Sequence, residues 1–167
     1  MCTAPQNIYV PKDGIDTADG HLTFDQVAAG IAEGVQKLLG DPARAVEILG
    51  AVVNDGVMQR LEAARKLGAI VLDTQAIAHP LFPQARIRTP LIVKLDAADR
   101  EKYLSEWFGP IAFVIATEST AQSLAIVARR GEVARRAHAV ACTRGGRRSS
   151  TRRSTWRRMP ASRCRST

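Results

Sequence analysis

Cysteines, aromatic residues and long apolar runs are all scarce in this chain, and each scarcity removes a class of protein. The three cysteines, Cys2, Cys142 and Cys164, are odd in number and far apart, with no Cys-x-x-Cys pair. That argues against a disulfide framework and a zinc knuckle, so no metal site is expected. No stretch of about eighteen apolar residues occurs, so no transmembrane helix is expected. The first residues carry no basic segment followed by an apolar one, because Pro5, Gln6, Asn7 and Pro11 interrupt it. A soluble cytoplasmic protein is the expectation. A Gly-rich dinucleotide fingerprint is absent as well, since Gly145-Gly146 follows no strand pattern.

What is present is unevenly distributed. The 167 residues, 46% of them apolar, suffice for one domain with a core. Residues 1–128 carry 11 Lys+Arg and 15 Asp+Glu, a net charge of −4. Residues 129–167 carry 13 Arg and one acid, Glu132, a net of +12. The basic character therefore belongs to the second region. Its text is Arg, Ser, Thr, Ala and Gly with almost no periodic apolar positions, so it cannot bury enough surface to offset its ordering entropy. The expected organisation is a folded region over 1–128 and a disordered Arg-rich tail over 129–167.

Within 1–128 the pattern alternates between strands and helices, which predicts an α/β layer architecture. Strands are predicted at 7–11 (NIYVP), 69–73 (AIVLD), 89–95 (TPLIVKL) and 111–117 (IAFVIAT). Thr23 with Gln26 forms a capping-box pattern opening a helix over 23–39, and Asp41-Pro42 restarts one after Gly40. Further helices are predicted over 55–67 and 119–128, with 96–106 a polar turn or short helix. Residues 12–20 read as a loop, and 79–88 hold too many prolines for regular structure.

Two stretches carry chemistry. Met1-Cys2-Thr3 precedes the first strand, and Glu106-Trp107-Phe108-Gly109-Pro110 precedes the last. Singly, each has a bland reading. A lone cysteine is inert in most proteins because reactivity needs a lowered pKa. Glu106 alone reads as a solvated charge, and Trp107 with Phe108 as core. Their order and separation resemble the aldehyde dehydrogenase superfamily, and the wording of 1–128 looks most like its phenylacetic acid degradation branch. The resemblance implies an incomplete Rossmann-like catalytic domain of that family, in which Cys2 is the nucleophile. It also implies that Glu106 accepts hydrogen bonds from the nicotinamide ribose while Phe108 lies against the same ring. The implied cofactor is NAD or NADP, and the implied substrate an aldehyde, here a coenzyme A-linked semialdehyde, oxidised through a Cys thioester. The family is homo-oligomeric, but its oligomerisation arm has no counterpart in this text.

Three readings compete. One is an enzyme with Cys2, Glu106 and Phe108 in their family roles. The second, favoured here, is an inactive piece of such an enzyme. It would begin at an internal start at Met1 and run into a frameshift near residue 129. No cofactor domain, oxyanion-hole Asn or general-base Glu is found in the text. The third is a basic protein binding nucleic acid without sequence preference through residues 129–167, by counterion release.

Overall fold

A computed structural model of the chain describes residues 6–133 and 139–141, with side chains described to residue 128. Its centre is a five-stranded sheet in the order β4-β7-β8-β1-β9. The strands are β1 (Asn7–Pro11), β4 (Ala69–Leu72), β7 (Leu91–Asp96), β8 (Ile111–Thr117) and β9 (Ala139–Ala141). Neighbours pair in parallel, apart from β4, which runs antiparallel to β7. The register sets Asn7 beside Phe113 and Phe113 beside Val93. The central strands β7 and β8 are almost wholly buried, which is why they read as nearly continuous apolar text.

Three of the helices start where a side chain can satisfy free backbone N–H groups. Helix α1 (Phe24–Leu39) opens on Thr23, whose hydroxyl accepts from Gln26 N while Gln26 Oε1 accepts from Thr23 N. Asp41 caps α2 (Pro42–Leu49) and Asn54 caps α3 (Asp55–Ala64) in the same manner. Two more helices, α4 (Arg100–Leu104) and α5 (Thr120–Val133), complete the set.

Side-chain alternation along the strands feeds two cores, one on each face of the sheet. Tyr9, Val93, Phe113 and Ile115 face one way and meet Val57, Leu61 and Ala64 of α3, Tyr103 of α4 and Val127 of α5. Val10, Ile92 and Val114 face the other way and meet Val27, Ala28 and Ala32 of α1. The result is a three-layer α/β arrangement, the fold class expected from the sequence. Several large apolar side chains stay outside these layers, among them Val53, Leu81 and Phe82 at 87%, 76% and 62% exposure.

Four details differ from the sequence-based expectation. The segment read as a loop contains a hairpin, β2 (Ile15–Thr17) with β3 (Gly20–Leu22). Gly14 makes its entry possible: at φ 88° it lies in the left-handed region, and a Cβ there would meet Leu22 O at 2.0 Å. The proline-rich stretch ends in β6 (Ile87–Arg88), which pairs with β5 (Ala76–Ile77) because the prolines fall before the pairing residues. Helix α5 continues past 128 to Val133, through Arg129 and Arg130, which suit a helix as well as a solvated tail. Ala139–Ala141, inside the range expected to be disordered, form the edge strand beside β1 because Ala-Val-Ala can complete its ladder. The rest of the Arg-rich region lies outside the described residues. Among those described, no helix is long and apolar enough to cross a membrane.

Candidate active site

The stretch between α4 and β8 is extended from Ser105, whose ψ is 153°, and its side chains alternate: Glu106 exposed, Trp107 half-buried, Phe108 exposed. Trp107 is the anchor. Its indole packs edge-on to Phe113, with ring centroids 6.0 Å apart and planes at 77°, and its Nε1–H donates to Lys102 O at 2.7 Å. Trp107 therefore belongs to the core, as its bland reading had it.

The backbone of this stretch is held at four consecutive carbonyls. Trp107 O accepts from Gln6 Nε2 at 2.6 Å, and Phe108 O accepts from Arg60 Nε at 2.7 Å. Gly109 O accepts from Ile111 N at 2.9 Å, and Pro110 O from Leu91 N at 2.8 Å. The Trp107 N–H in turn donates to Gln6 Oε1 at 3.3 Å, so the Gln6 amide and the Trp107 peptide exchange two bonds. Gly109 has φ 152°, and a Cβ there would meet Val57 Cγ1 at 3.0 Å, so the turn into β8 needs a residue without a side chain.

On this fixed backbone the two residues singled out by the sequence project outward. Phe108 is 61% exposed, with the Arg60 guanidinium 6.0 Å from its ring centroid. Among the described residues no hydrogen bond or ion pair engages the Glu106 carboxylate. Cys2 lies outside the described residues. The strand that follows it does not: Gln6 O accepts from Phe113 N at 2.7 Å, which brings the start of β1 beside the start of β8. Sequence reasoning missed Gln6, Asn7 and Arg60. Their partners lie 101, 96 and 48 residues away, so no local pattern announces them.

The opposite end of the sheet gathers charge instead. Lys12, just after β1, bridges Glu118 at 2.6 Å and Asp96 at 2.9 Å. The hydrogen bond to Glu118, then that to Asp96, holds the Lys12 ammonium well above its ordinary range. Asp96 is held below the ordinary carboxylate range, first by the Ala98 N–H and then by Lys12. In the hairpin, Asp16 raises His21 through a contact of 2.9 Å to its Nδ1. No cluster of His, Cys, Asp and Glu among the described residues has the makings of a metal site.

No protein-family model matches the sequence, and no curated protein does. Among solved structures, the chain is similar to the NAD-dependent aldehyde dehydrogenase from Burkholderia multivorans, with 65% sequence identity and a TM-score of 0.75. The match covers 77% of this chain and 23% of the other, so the chain spans about a quarter of that enzyme's length. Over the shared span it has the mixed α/β fold of part of an aldehyde dehydrogenase chain.

Proposed function

We propose that this chain is the part of an NAD(P)-dependent aldehyde dehydrogenase that carries the nucleophile and the contacts to the nicotinamide ribose. One observation carries the reading: a backbone held at four consecutive carbonyls presents Glu106 and Phe108 outward, with the Glu106 carboxylate unengaged among the described residues. A carboxylate without a partner does not stabilise a fold, but it offers a ligand a preorganised contact, as does the exposed Phe108 ring. The 65% identity to an NAD-dependent aldehyde dehydrogenase supports the same reading.

The residues fit such a cofactor. A ribose diol offers two O–H donors, which the Glu106 carboxylate would accept in charge-assisted bonds. The Phe108 ring offers a flat apolar surface beside them. When bound, the nicotinamide supplies the acceptor for the hydride released from the substrate carbon. Cys2 supplies the covalent chemistry. Cys2 stands four positions before Gln6, which bounds its distance from Gln6 at about 14 Å of extended chain. The thiolate adds to the aldehyde carbon, forming a C–S bond, and leaves again when water cleaves the thioester to the acid. The substrate class proposed is a coenzyme A-linked semialdehyde of phenylacetate breakdown, oxidised in the cytoplasm.

On its own the polypeptide is proposed to be inactive, because it matches 23% of the related enzyme and contains no Gly-rich cofactor fingerprint. Removing one oxyanion donor costs about 10²–10³ in rate, and losing the base for deacylation costs about another 10²–10⁴. The test has two arms. The full chain, mixed with aldehydes and NAD or NADP, should form no more reduced cofactor than its Cys2→Ala variant. Residues 1–128, substituted for the matching segment of the Burkholderia enzyme, should give a dehydrogenase that Cys2→Ala abolishes. A substituted enzyme indifferent to Cys2→Ala would overturn the assignment.

A further inference from the structure

Helix α3 turns Val57, Leu61 and Ala64 into the core, and Arg60 among them is half-buried. Its side chain touches one residue of the Glu106–Pro110 stretch twice. The Nε–H donates to Phe108 O at 2.7 Å, and the guanidinium carbon stands 6.0 Å from the centroid of the Phe108 ring. Room for the guanidinium comes from Gly56, one turn back on α3. A Cβ there would meet Arg60 Nη1 at 3.3 Å and Nη2 at 3.7 Å. Among the described residues no carboxylate pairs with Arg60, so its charge is not committed to an ion pair. An exposed ring is otherwise free to change rotamer, and a single hydrogen bond to an exposed carbonyl adds little to stability. What the double contact does is restrain the backbone and the ring of the same residue together.

We propose that Arg60 is a positioning residue that sets the Phe108 ring in its ligand-binding orientation without itself touching the ligand. This rests on the reading of Glu106 and Phe108 as contacts to the nicotinamide half of the cofactor. A ring held in place before the ligand arrives removes an ordering cost from binding. Arginine suits the task because its planar group donates through Nε while its delocalised charge is drawn to an aromatic face. Gln6 holds the neighbouring Trp107 peptide from the other side, so the backbone next to Phe108 is already fixed and the ring is what Arg60 adds.

The experiment uses the full chain, isotopically labelled for NMR, with two substitutions at Arg60. Arg60→Gln keeps a side-chain N–H at the position of Nε but brings no cation to the ring. Arg60→Met keeps similar length and loses both contacts. Without ligand, Arg60→Met should move the Phe108 carbonyl resonance and average the ring over its rotamers. Arg60→Gln should free the ring and leave the carbonyl near its parental position. Trp107 and Phe113 should stay unchanged in both. Equal changes at Phe113 would mean that Arg60 serves the fold alone, and would overturn the proposal. So would Phe108 resonances unchanged in both variants. Titration with NAD should then give a dissociation constant raised about ten-fold by Arg60→Met and about three-fold by Arg60→Gln. NAD affinity unchanged in Arg60→Met would overturn the proposal. In a Phe108→Ala background, Arg60→Gln should cost nothing further, since the ring it restrains is gone. A three-fold cost kept in that background would show that Arg60 touches the ligand itself, and would also overturn the proposal. Should Arg60→Met fail to fold, Arg60→Gln decides by itself. A parent chain that binds no NAD would end the cofactor reading, and the ligand-free resonances would still decide on Arg60.

Discussion

At the end of the sheet where β1, β7 and β8 finish, Lys12, Asp96 and Glu118 are bound to one another. At the end where they begin, Glu106 has no partner among the described residues, and Phe108 stands 61% exposed. Open α/β sheets generally bind ligands at the carboxyl ends of their strands, where the helices change faces. Such a place exists here between β8 and β1, since α5 packs on one face and α1 on the other. Yet its charges are already spent on each other. The amino end offers the reverse: a backbone with its carbonyls satisfied and, among the described residues, a carboxylate with no partner. On the proposed assignment the ligand goes to the fixed backbone with the unengaged carboxylate, and the denser cluster of charge at the carboxyl end is passed over.

That contrast can be broken most forcefully at its anchor. Trp107→Ala should destabilise the chain by about 2–4 kcal/mol, somewhat below the range for a fully buried tryptophan because Trp107 is half-buried. Urea unfolding measures it, and a loss below about 1 kcal/mol would show that the Glu106 segment is not held by its tryptophan. Tyr103 joins the two ends, with its hydroxyl donating to Ala97 O at 2.8 Å and its carbonyl accepting from Asn7. Tyr103→Phe removes the first bond and should cost about 1–2 kcal/mol in the same assay.

At the carboxyl end the effects should be smaller and tied to salt and pH. Lys12→Met should change the unfolding midpoint less than either substitution above, and moderate salt should erase the difference, because the pairs are exposed. Asp96 is held below its ordinary range, so its contribution is complete above pH of about 4 and is lost as pH falls through the lowered folded value. Asp96→Asn should flatten that acid limb of the stability curve. His21 is held above its ordinary range, so its contribution is complete below pH of about 6.5 and is lost as pH rises through the raised folded value. His21→Gln should remove this decline, the smallest of the expected changes, since the pair is solvent-exposed.

Much of the frame is legible in the sequence because it depends on neighbours within a few residues. The Thr23–Gln26 cap, the Asp41-Pro42 restart and the β-branched run of β8 each declare themselves locally. The β2–β3 hairpin does not, because Gly14 and Gly20 look like loop residues until the pairing of Ile15 with Leu22 is known. The site divides in the same way. Glu106 and Phe108 can be singled out by their motif, but the amide pair between Gln6 and Trp107 spans 101 residues and leaves no periodic trace. Arg60 shows the limit again: on α3 it reads as a surface cation, and only the fold brings its Nε to Phe108 O.

The most direct measurement is a titration of the isotopically labelled chain with NAD, followed residue by residue by NMR. Single-site contacts in a polypeptide that matches only 23% of the related enzyme should bind at about the millimolar level. The expected shifts centre on Glu106, Trp107, Phe108 and Gly109, and Glu106→Gln should weaken them about ten-fold through loss of charge-assisted bonds. Shifts centred on Lys12, Asp96 and Glu118, or a Glu106→Gln variant that binds as well as the parent, would contradict the assignment of the nicotinamide ribose to the amino end of the sheet.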